Sequence, residues 1–177
     1  MNLYLDTEFT ALQQNGELIS LALVDEHQHY FYAEFTDYDP STLTAWHQKN
    51  VIQHLLLGGV GNKSLPAKGQ NLRGNKQEIS EALKSWLSKY QQLEIWTDAV
   101  AYDWVFFCEL FGGALHLPKN IFYLPFDLVT LLKIRGMDPN ITRETVLGNW
   151  QPPEGLAKHN ALYDAMLLRT IHQQLEP

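Results

Sequence analysis

Asn2-Leu3-Tyr4-Leu5-Asp6-Thr7-Glu8 gives the clearest indication of how this chain folds. Its large apolar side chains have the spacing of a β-strand. The same pattern recurs over Glu17–Asp25 and Gln28–Phe35, with Glu26-His27 suited to the turn between them. Three strands joined so closely along the chain are predicted to be antiparallel neighbours in one sheet.

The first strand also carries two carboxylates. Asp6 and Glu8 are two residues apart, so strand alternation directs both side chains to one face. Leu3, Leu5 and Phe9 occupy the other face, which they bury. An Asp-x-Glu tripeptide alone is also typical of an exposed strand edge. Because unpaired buried carboxylates are costly, we favour a metal site or a cleft at this point.

Helical and extended patterns alternate in the rest of the chain. Helices are predicted over residues 43–57 (capped by Ser41 or Thr42), from the Asn75/Glu78 capping box to Tyr90, over Tyr102–Phe111, over Asp127–Ile134 with Asp127 as cap, and over Ala161–Leu175. Short extended segments are predicted over Leu93–Thr97 and Ile121–Leu124. This order predicts an α/β fold with a mixed sheet, in which three antiparallel strands and further parallel strands are flanked by helices.

A glycine-rich, locally basic segment covers residues 58–76. It is predicted to be a flexible loop, and Lys63, Lys68, Arg73 and Lys76 make it a candidate for guiding a nucleic-acid strand. A solvated surface loop of no special function explains the same composition.

Composition limits the class of protein. The 177 residues, 45% of them hydrophobic, are expected to form a single domain over 1–177. No apolar run is long enough to span a membrane, no signal peptide is expected, and the single cysteine, Cys108, fits a reducing compartment, so we expect a cytoplasmic protein. The net charge of -7 does not exclude a nucleic-acid partner, because bound divalent cations can meet the phosphates.

Further acidic residues and a histidine lie at helix starts. Asp103 stands among aromatic residues at the start of one predicted helix, and Asp98 competes with it on spacing alone. At the last helix, Asn160 is a suitable N-cap, which places His159 just outside the helix and Asp164 in its first turns. Taken singly, Asp103 is equally well explained as a carboxylate that interacts with a helix N-terminus, and His159 is better explained as a surface histidine near one.

Three motifs now carry a resemblance. Asp6-Thr7-Glu8-Phe9-Thr10, Tyr102-Asp103-Trp104 and His159-Asn160-Ala161-Leu162-Tyr163-Asp164-Ala165 resemble, in order and separation, the three motifs of the DEDDh family of 3′-to-5′ exonucleases. This family includes RNase T and oligoribonuclease, and the likeness, from residue 3 to 165, is strongest to small bacterial exoribonucleases. The chain lacks the Asn that often precedes the second-motif aspartate. The resemblance implies a ribonuclease H-like fold and release of nucleoside monophosphates from RNA 3′ ends.

The resemblance also implies roles for five residues. Asp6, Glu8, Asp103 and Asp164 would hold two Mg²⁺ or Mn²⁺ ions, because clustered carboxylates demand cations and hard oxygen ligands select these metals. Asp6 would bridge both ions. His159 would be the general base that takes a proton from the attacking water, a task suited to its ordinary pKa near 6.5.

Substrate contacts are predicted beside the acidic motifs. Phe9, Thr10 and Trp104 are candidates for binding the terminal nucleotides, by stacking in the case of the aromatic residues. Phe107 is better explained by core packing. Lys158 and Arg143 are candidates for phosphate contacts, although single basic residues are usually only surface.

Three other functions remain open at this point. A DNA-directed 3′-to-5′ exonuclease would use the same residues, and a ribonuclease H-type endonuclease would use similar carboxylates without the histidine motif. A catalytically idle nucleic-acid-binding module would keep only the fold. Single-stranded RNA 3′ ends, or DNA 3′ ends, are the expected partners, and a homodimer is expected by analogy with the family.

Overall fold

The computed structural model describes residues 1–13, 15–59 and 65–176, and over these residues the chain forms a mixed six-stranded sheet. The strands are β1 (Asn2–Phe9), β2 (Leu18–Asp25), β3 (Tyr30–Phe35), β4 (Gly69–Gly74), β5 (Glu94–Thr97) and β6 (Phe126–Asp127). Their order across the sheet is β4-β3-β2-β1-β5-β6. β1 to β3 are antiparallel neighbours. β4 pairs in parallel with β3, β5 pairs in parallel with β1, and β6 pairs in parallel with β5. The predicted mixed sheet is confirmed.

Helices cover both faces of this sheet. They are α1 (Ala45–Asn50), α2 (Lys76–Leu87), α3 (Val100–Glu109), α4 (Leu128–Ile134), α5 (Arg143–Leu147) and α6 (Ala161–Leu175), with 3-10 turns at Pro40–Thr42, Ile52–His54 and Ala114–His116. In the part of the chain that the structure describes, no helix is long and apolar enough to cross a membrane.

Strand alternation divides the core into two layers. Leu3 and Leu5 of β1 face the layer formed with α2 and α3, whereas Tyr4 faces the layer formed with α4 and α6. Every residue of β2 is buried, because helices cover both sides of the sheet. Asp6 and Glu8 share the Tyr4 side. They therefore lie on the face that α6 covers, at the end of β1 that meets the first turn of that helix.

The prediction of a loop over residues 58–76 is wrong for the second half of that segment. Gly69–Gly74 forms β4, which pairs in parallel with β3. Gly69 is required there by close packing, since a Cβ on it would lie 1.8 Å from the Tyr30 ring. The glycines that resembled loop residues thus permit a tight edge strand. The first-half residues 60–64, which include Lys63, lie outside the described residues.

Two other predicted elements are shifted. The helix predicted over 43–57 is the short α1 and a 3-10 turn, and its cap is Thr44, whose hydroxyl accepts from the His47 amide, rather than Ser41 or Thr42. Among the described residues, the extended segment Ile121–Leu124 makes only one bridge, from Ile121 to Leu93, and β6 lies further on. Ser41 and Thr42 instead form a separate 3-10 turn capped by Asp39.

Three predicted caps are confirmed. Asn75 and Glu78 form a capping box at α2, Asp127 accepts from two amides at the start of α4, and Asn160 accepts from the Leu162 amide at the start of α6. Asn160 fixes where α6 begins, and α6 carries the third motif. The cap thus sets the position of that motif against β1.

Candidate active site

A cleft of about 530 Å³ opens where β1 ends against α3, α1 and the start of α6. Its lining includes all five residues of the predicted catalytic set: Asp6, Glu8, Asp103, His159 and Asp164. Phe9 also lines it. Thr10 and Trp104, predicted as substrate contacts, are not brought to the cleft: Thr10 is buried with its hydroxyl accepting from the Glu17 amide, and Trp104 stacks on Phe107.

β1 presents the first two carboxylates. Asp6 and Glu8 pair across the sheet with Ala22 and Ser20 of β2, and the register shifts just after Glu8. The rigid central strand fixes both side chains, and the irregularity ends the regular ladder at the cleft. Asp6 and Glu8 thus converge on one point, as the alternation predicts.

Asp103 reaches the cleft from the first turn of α3. One carboxylate oxygen accepts from the Thr7 hydroxyl at 2.7 Å and from the Thr7 amide at 3.2 Å, and the other accepts from the Thr97 hydroxyl. Asp103 is only 1% exposed, so these donors supply the solvation that water cannot. They also hold the carboxylate in one orientation beside β1.

Asp98, the alternative to Asp103, lies outside the cleft. Its two oxygens accept from Arg143 Nε at 2.7 Å and Nη2 at 2.8 Å. The guanidinium of Arg143 thus already compensates the negative charge of Asp98. This pair also occupies Arg143, which was a candidate for contacting phosphate.

His159 and Asp164 face each other across the start of α6. The His159 amide donates to Asp164 Oδ2 at 2.9 Å, and His159 has a φ of 63°, a left-handed conformation that few non-glycine residues adopt. Asn160 then caps the helix. The left-handed residue turns the chain sharply, so that the imidazole lies beside the carboxylate of the first turn.

Three of these side chains are spaced for a shared ion. Potential ligand atoms of Glu8, His159 and Asp164 lie within 4.8 Å of one another. The histidine can therefore meet either a cation or a water molecule beside the two carboxylates. Geometry alone allows both roles.

Crowding raises the proton affinity of the carboxylates. Burial, and then repulsion from the neighbouring carboxylates, raises the pKa of Asp6 well above its ordinary value and that of Glu8 to about 8. Burial also raises the pKa of Asp164 to about 7 and that of Asp103 to about 6, against the lowering effect of their hydrogen bonds. The site therefore favours either protons or cations.

The pKa of His159 is shifted in the opposite direction. Burial, together with the positive charge of Lys158 and of His54, lowers the pKa of His159. The neutral imidazole is thus the prevailing form at neutral pH. Lys158 itself pairs with Glu144 at 3.1 Å, so the predicted phosphate contact is not a free lysine.

Divalent cations suit this donor set. Among the described residues, none of the four carboxylates forms an ion pair with a lysine or arginine. Their mutual repulsion at short range is costly, and hard carboxylate oxygens are the ligands that Mg²⁺ and Mn²⁺ prefer. The residues present therefore fit such ions.

Sequence reasoning missed two groups near the cleft. Trp46, 51% exposed on α1, lies edge-on to His159 with ring centroids 5.2 Å apart, and His47 lies beside it in the cleft wall. An apolar residue near the start of a short helix gives no signal that distinguishes a cleft wall from a core. Only the arrangement of α1 against α6 reveals it.

The second missed group is a buried network behind the histidine. Glu34, 1% exposed, accepts from the Tyr32 hydroxyl and from the amides of Leu56, Leu57 and Gly58. Asn160 Nδ2 in turn donates to the Tyr32 hydroxyl at 3.1 Å and to the His54 carbonyl at 2.9 Å. The network ties the residues after α1 to the start of α6. Glu34 had resembled an ordinary strand residue in the sequence.

The sheet order, with three antiparallel strands and further strands in parallel, defines a fold class, the ribonuclease H-like fold. A crystal structure of the nuclease domain of 3′hExo, a DEDDh family member bound to rAMP, matches 98% of this chain and 90% of that chain, with a TM-score of 0.64 and 12% identity. At that identity the likeness concerns the fold. The predicted ribonuclease H-like fold is confirmed.

Two relatives found by sequence carry names that state an activity. Two proteins of Mycobacterium tuberculosis are 29% identical over 167 residues, which cover 93% of this chain and 87% of each relative: 3′-5′ exoribonuclease Rv2179c of strain ATCC 25618 / H37Rv and 3′-5′ exoribonuclease MT2234.1 of strain CDC 1551 / Oshkosh. No protein-family model matches the chain. The chain is thus a homologue of proteins named as exoribonucleases and has the fold of a DEDDh nuclease, which confirms the resemblance carried by its motifs.

Proposed function

We propose that this protein is a metal-dependent 3′-to-5′ exoribonuclease that releases nucleoside monophosphates from single-stranded RNA. The observation that carries the proposal is the meeting of Asp6, Glu8, Asp103, Asp164 and His159 in one cleft, from three separate parts of the chain. The names of the two mycobacterial homologues support the activity and the RNA substrate.

In the proposed mechanism, Asp6, Glu8, Asp103 and Asp164 would hold divalent cations, Mg²⁺ or Mn²⁺. Such ions, when bound, supply positive charge to both the attacking and the leaving oxygen of an in-line phosphoryl displacement. Asp103 is held by Thr7 and Thr97, so it offers a fixed oxygen rather than a mobile one.

His159 acts as the general base. It accepts a proton from the water that attacks phosphorus, while the P–O3′ bond breaks and the leaving 3′ oxygen takes a proton from solvent. Its lowered pKa keeps the imidazole free to accept that proton at neutral pH. The hydrogen bond from its amide to Asp164 couples the position of the base to that of the carboxylate.

Aromatic side chains at the cleft fit the terminal nucleotide. Phe9 lines the cleft and is held by stacking on Phe106, with ring centroids 5.0 Å apart. Stacking gives affinity without base specificity. The rAMP bound to the related nuclease domain of 3′hExo supports a ribonucleotide here as well.

The test uses end-labelled single-stranded RNA and DNA with Mg²⁺, Mn²⁺ or chelator. We expect mononucleotides to be released stepwise from the 3′ end of RNA, only with metal, and a blocked 3′ terminus to protect the substrate. Internal cleavage would favour a ribonuclease H-type endonuclease, and faster degradation of DNA would favour the DNA-directed alternative.

The idle-module alternative requires a different comparison. Asp6→Asn should abolish turnover if the carboxylates bind metal, whereas an idle module would bind RNA equally well with either residue and degrade it with neither. The single domain over 1–177, a cytoplasmic location and a homodimer remain proposals. Sedimentation equilibrium tests the homodimer directly.

A further inference from the structure

A second cavity, of about 380 Å³, shares no lining residue with the carboxylate cleft. Its wall is formed by the β2–β3 turn, the residues before β4, the residues after α5 and the middle of α6: Gln28, Pro66, Ala67, Lys68, Trp150, Gln151, Pro153, Met166, Arg169 and Thr170. Arg169 follows Asp164 by five residues, which places it about 7.5 Å further along α6 and on a different side of the helix. The cavity is separate from the cleft. Arg169 contacts Asp25 and Glu26 at the end of β2. Glu8 of the cleft pairs instead with Ser20, near the other end of that strand.

This cavity is positively charged in an acidic protein. Lys68 and Arg169 line it, and no carboxylate does so among the described residues, although the net charge of the chain is -7. Arg169 Nε donates to the Asp25 carbonyl at 3.0 Å and Nη2 donates to the Glu26 carbonyl. These neutral acceptors orient the guanidinium without cancelling its charge. An ordered guanidinium that pairs with no described carboxylate is suited to phosphate.

The lysine stands on a fixed stretch of backbone. The Tyr30 amide donates to the Lys68 carbonyl, and the Tyr30 hydroxyl donates to the Pro66 carbonyl at 2.8 Å. The Tyr30 ring also lies against Gly69, which has no room for a side chain. Lys68 has a φ of 71°, a left-handed conformation that non-glycine residues seldom adopt and that surrounding contacts must maintain. The backbone from which its exposed side chain extends is thus set before any ligand binds.

An aromatic wall completes the cavity. Trp150 is partly buried and packs edge-on against Tyr163, with ring centroids 5.2 Å apart, while the exposed amides of Gln28 and Gln151 stand at the rim. An indole beside two cations offers a stacking surface for a base and charge for a phosphate. The volume is within the range of roughly 300 to 1,000 Å³ that is usual for ligand pockets.

We propose that this cavity binds one nucleotide of the RNA strand upstream of the 3′ end that occupies the cleft. Lys68 and Arg169 contact its phosphate, and Trp150 stacks on its base. The inference rests on the proposed function, since it takes the strand from the cleft. The contact makes long RNA bind more tightly than short RNA without altering the chemical step. A free nucleoside monophosphate has the same base and phosphate chemistry, and the experiment must separate the two.

Steady-state kinetics on two substrates test the proposal, with the variants Lys68→Glu and Trp150→Leu and the exposed α4 residue changed in Lys133→Glu as the control. On RNA of roughly 20 nucleotides we expect KM to rise about tenfold for Lys68→Glu and Trp150→Leu, with kcat unchanged. On a dinucleotide neither variant should differ from the unmodified protein, and the control should match it on both. An unchanged KM for long RNA in Lys68→Glu overturns the proposal. If the unmodified protein degrades neither substrate, the proposed function has failed instead.

Binding measured in chelator tests the cavity independently of turnover. We expect labelled RNA to bind Lys68→Glu with a salt dependence shallower by about 0.7 in log Kd against log salt concentration, the value for one lost phosphate contact on a single strand. Calorimetric titration with a nucleoside monophosphate separates the two ligand sources. If Lys68→Glu abolishes mononucleotide binding but leaves RNA affinity and its salt dependence unchanged, the cavity does not bind the RNA strand. It then binds free nucleotides instead.

Discussion

Adding Mn²⁺ should raise the melting temperature of this protein more at pH 8 than at pH 5. The added cation is expected to bind the carboxylate cluster formed by Asp6, Glu8, Asp103 and Asp164. Because these carboxylates have raised pKa values in the folded protein, the folded state binds more protons than the unfolded chain between about pH 4 and pH 8. The free energy of unfolding without metal must therefore fall as the pH rises through that window.

The magnitude follows from the pKa values. Each tenfold change in proton affinity is worth about 1.4 kcal/mol, so the change at Asp164 from 3.8 to about 7 corresponds to about 4 kcal/mol. The carboxylates share one mutual repulsion, and water reaches the partly exposed Glu8 and Asp164, so we expect only about 2 kcal/mol for the whole cluster. For a chain of this size, that is a fall of about 4 to 8 °C in melting temperature from pH 5 to pH 8.

Metal should reverse this loss. At pH 8 the carboxylates are available to a cation, and a cation at about 100 times its Kd stabilises the folded state by about 2.7 kcal/mol, or roughly 5 to 10 °C. At pH 5 protons occupy the cluster and compete with the cation, so the shift should be small. Differential scanning fluorimetry at both pH values, with metal or with chelator, measures the four melting temperatures required.

A double variant is the control. Asp6→Asn/Glu8→Gln removes two of the mutually repelling charges. Without metal at pH 8 it should be more stable than the unmodified protein, and it should not respond to Mn²⁺. A metal-induced shift that is equal at both pH values, or larger at pH 5, would contradict this prediction, as would a double variant that is less stable than the unmodified protein at pH 8.

Three further predictions concern single residues. His159→Ala should lower kcat by about 100-fold while leaving the metal-induced melting shift intact, and His159→Asn, which tolerates the left-handed backbone, should behave alike; loss of that shift in both would make His159 a ligand rather than a base. Asp103→Asn should abolish turnover, whereas Asp98→Asn should keep turnover and lose at most about 1 kcal/mol of stability through its partly exposed pair with Arg143; the reverse pattern in RNA-degradation assays would assign the second motif to Asp98. Glu34→Gln should cost about 2 to 3 kcal/mol of stability, because an amide nitrogen would then face one of the donors that the carboxylate accepts from, while the exposed Glu81→Gln should cost almost nothing; equal urea midpoints for the two would contradict the network.

The sequence predicts the site better than it predicts the elements between its parts. Alternation in β1 is enough to place Asp6 and Glu8 on one face, and the Asn160 cap is enough to place His159 outside α6. These features are local, so a single sequence contains them. The class of enzyme predicted from them agrees with the names of the two homologues.

What the sequence did not reveal depends on distant contacts. The β4 strand looked like a loop because its glycines serve a close approach to Tyr30, which is 39 residues earlier than Gly69 in the chain. Glu34 gave no sign of its three amide donors, since they come from residues 56–58. The choice of Asp103 over Asp98 likewise required Arg143, which forms its ion pair with Asp98 across 45 residues.

The late position of α6 in the chain has a consequence for synthesis. Asp6 and Glu8 of β1 are synthesised well before His159 and Asp164, and the Asn160 amide must then meet Tyr32 and the His54 carbonyl. A partly made chain therefore lacks both the base and the last carboxylate. The carboxylate cleft is therefore assembled only after α6 has docked against β1 and β3.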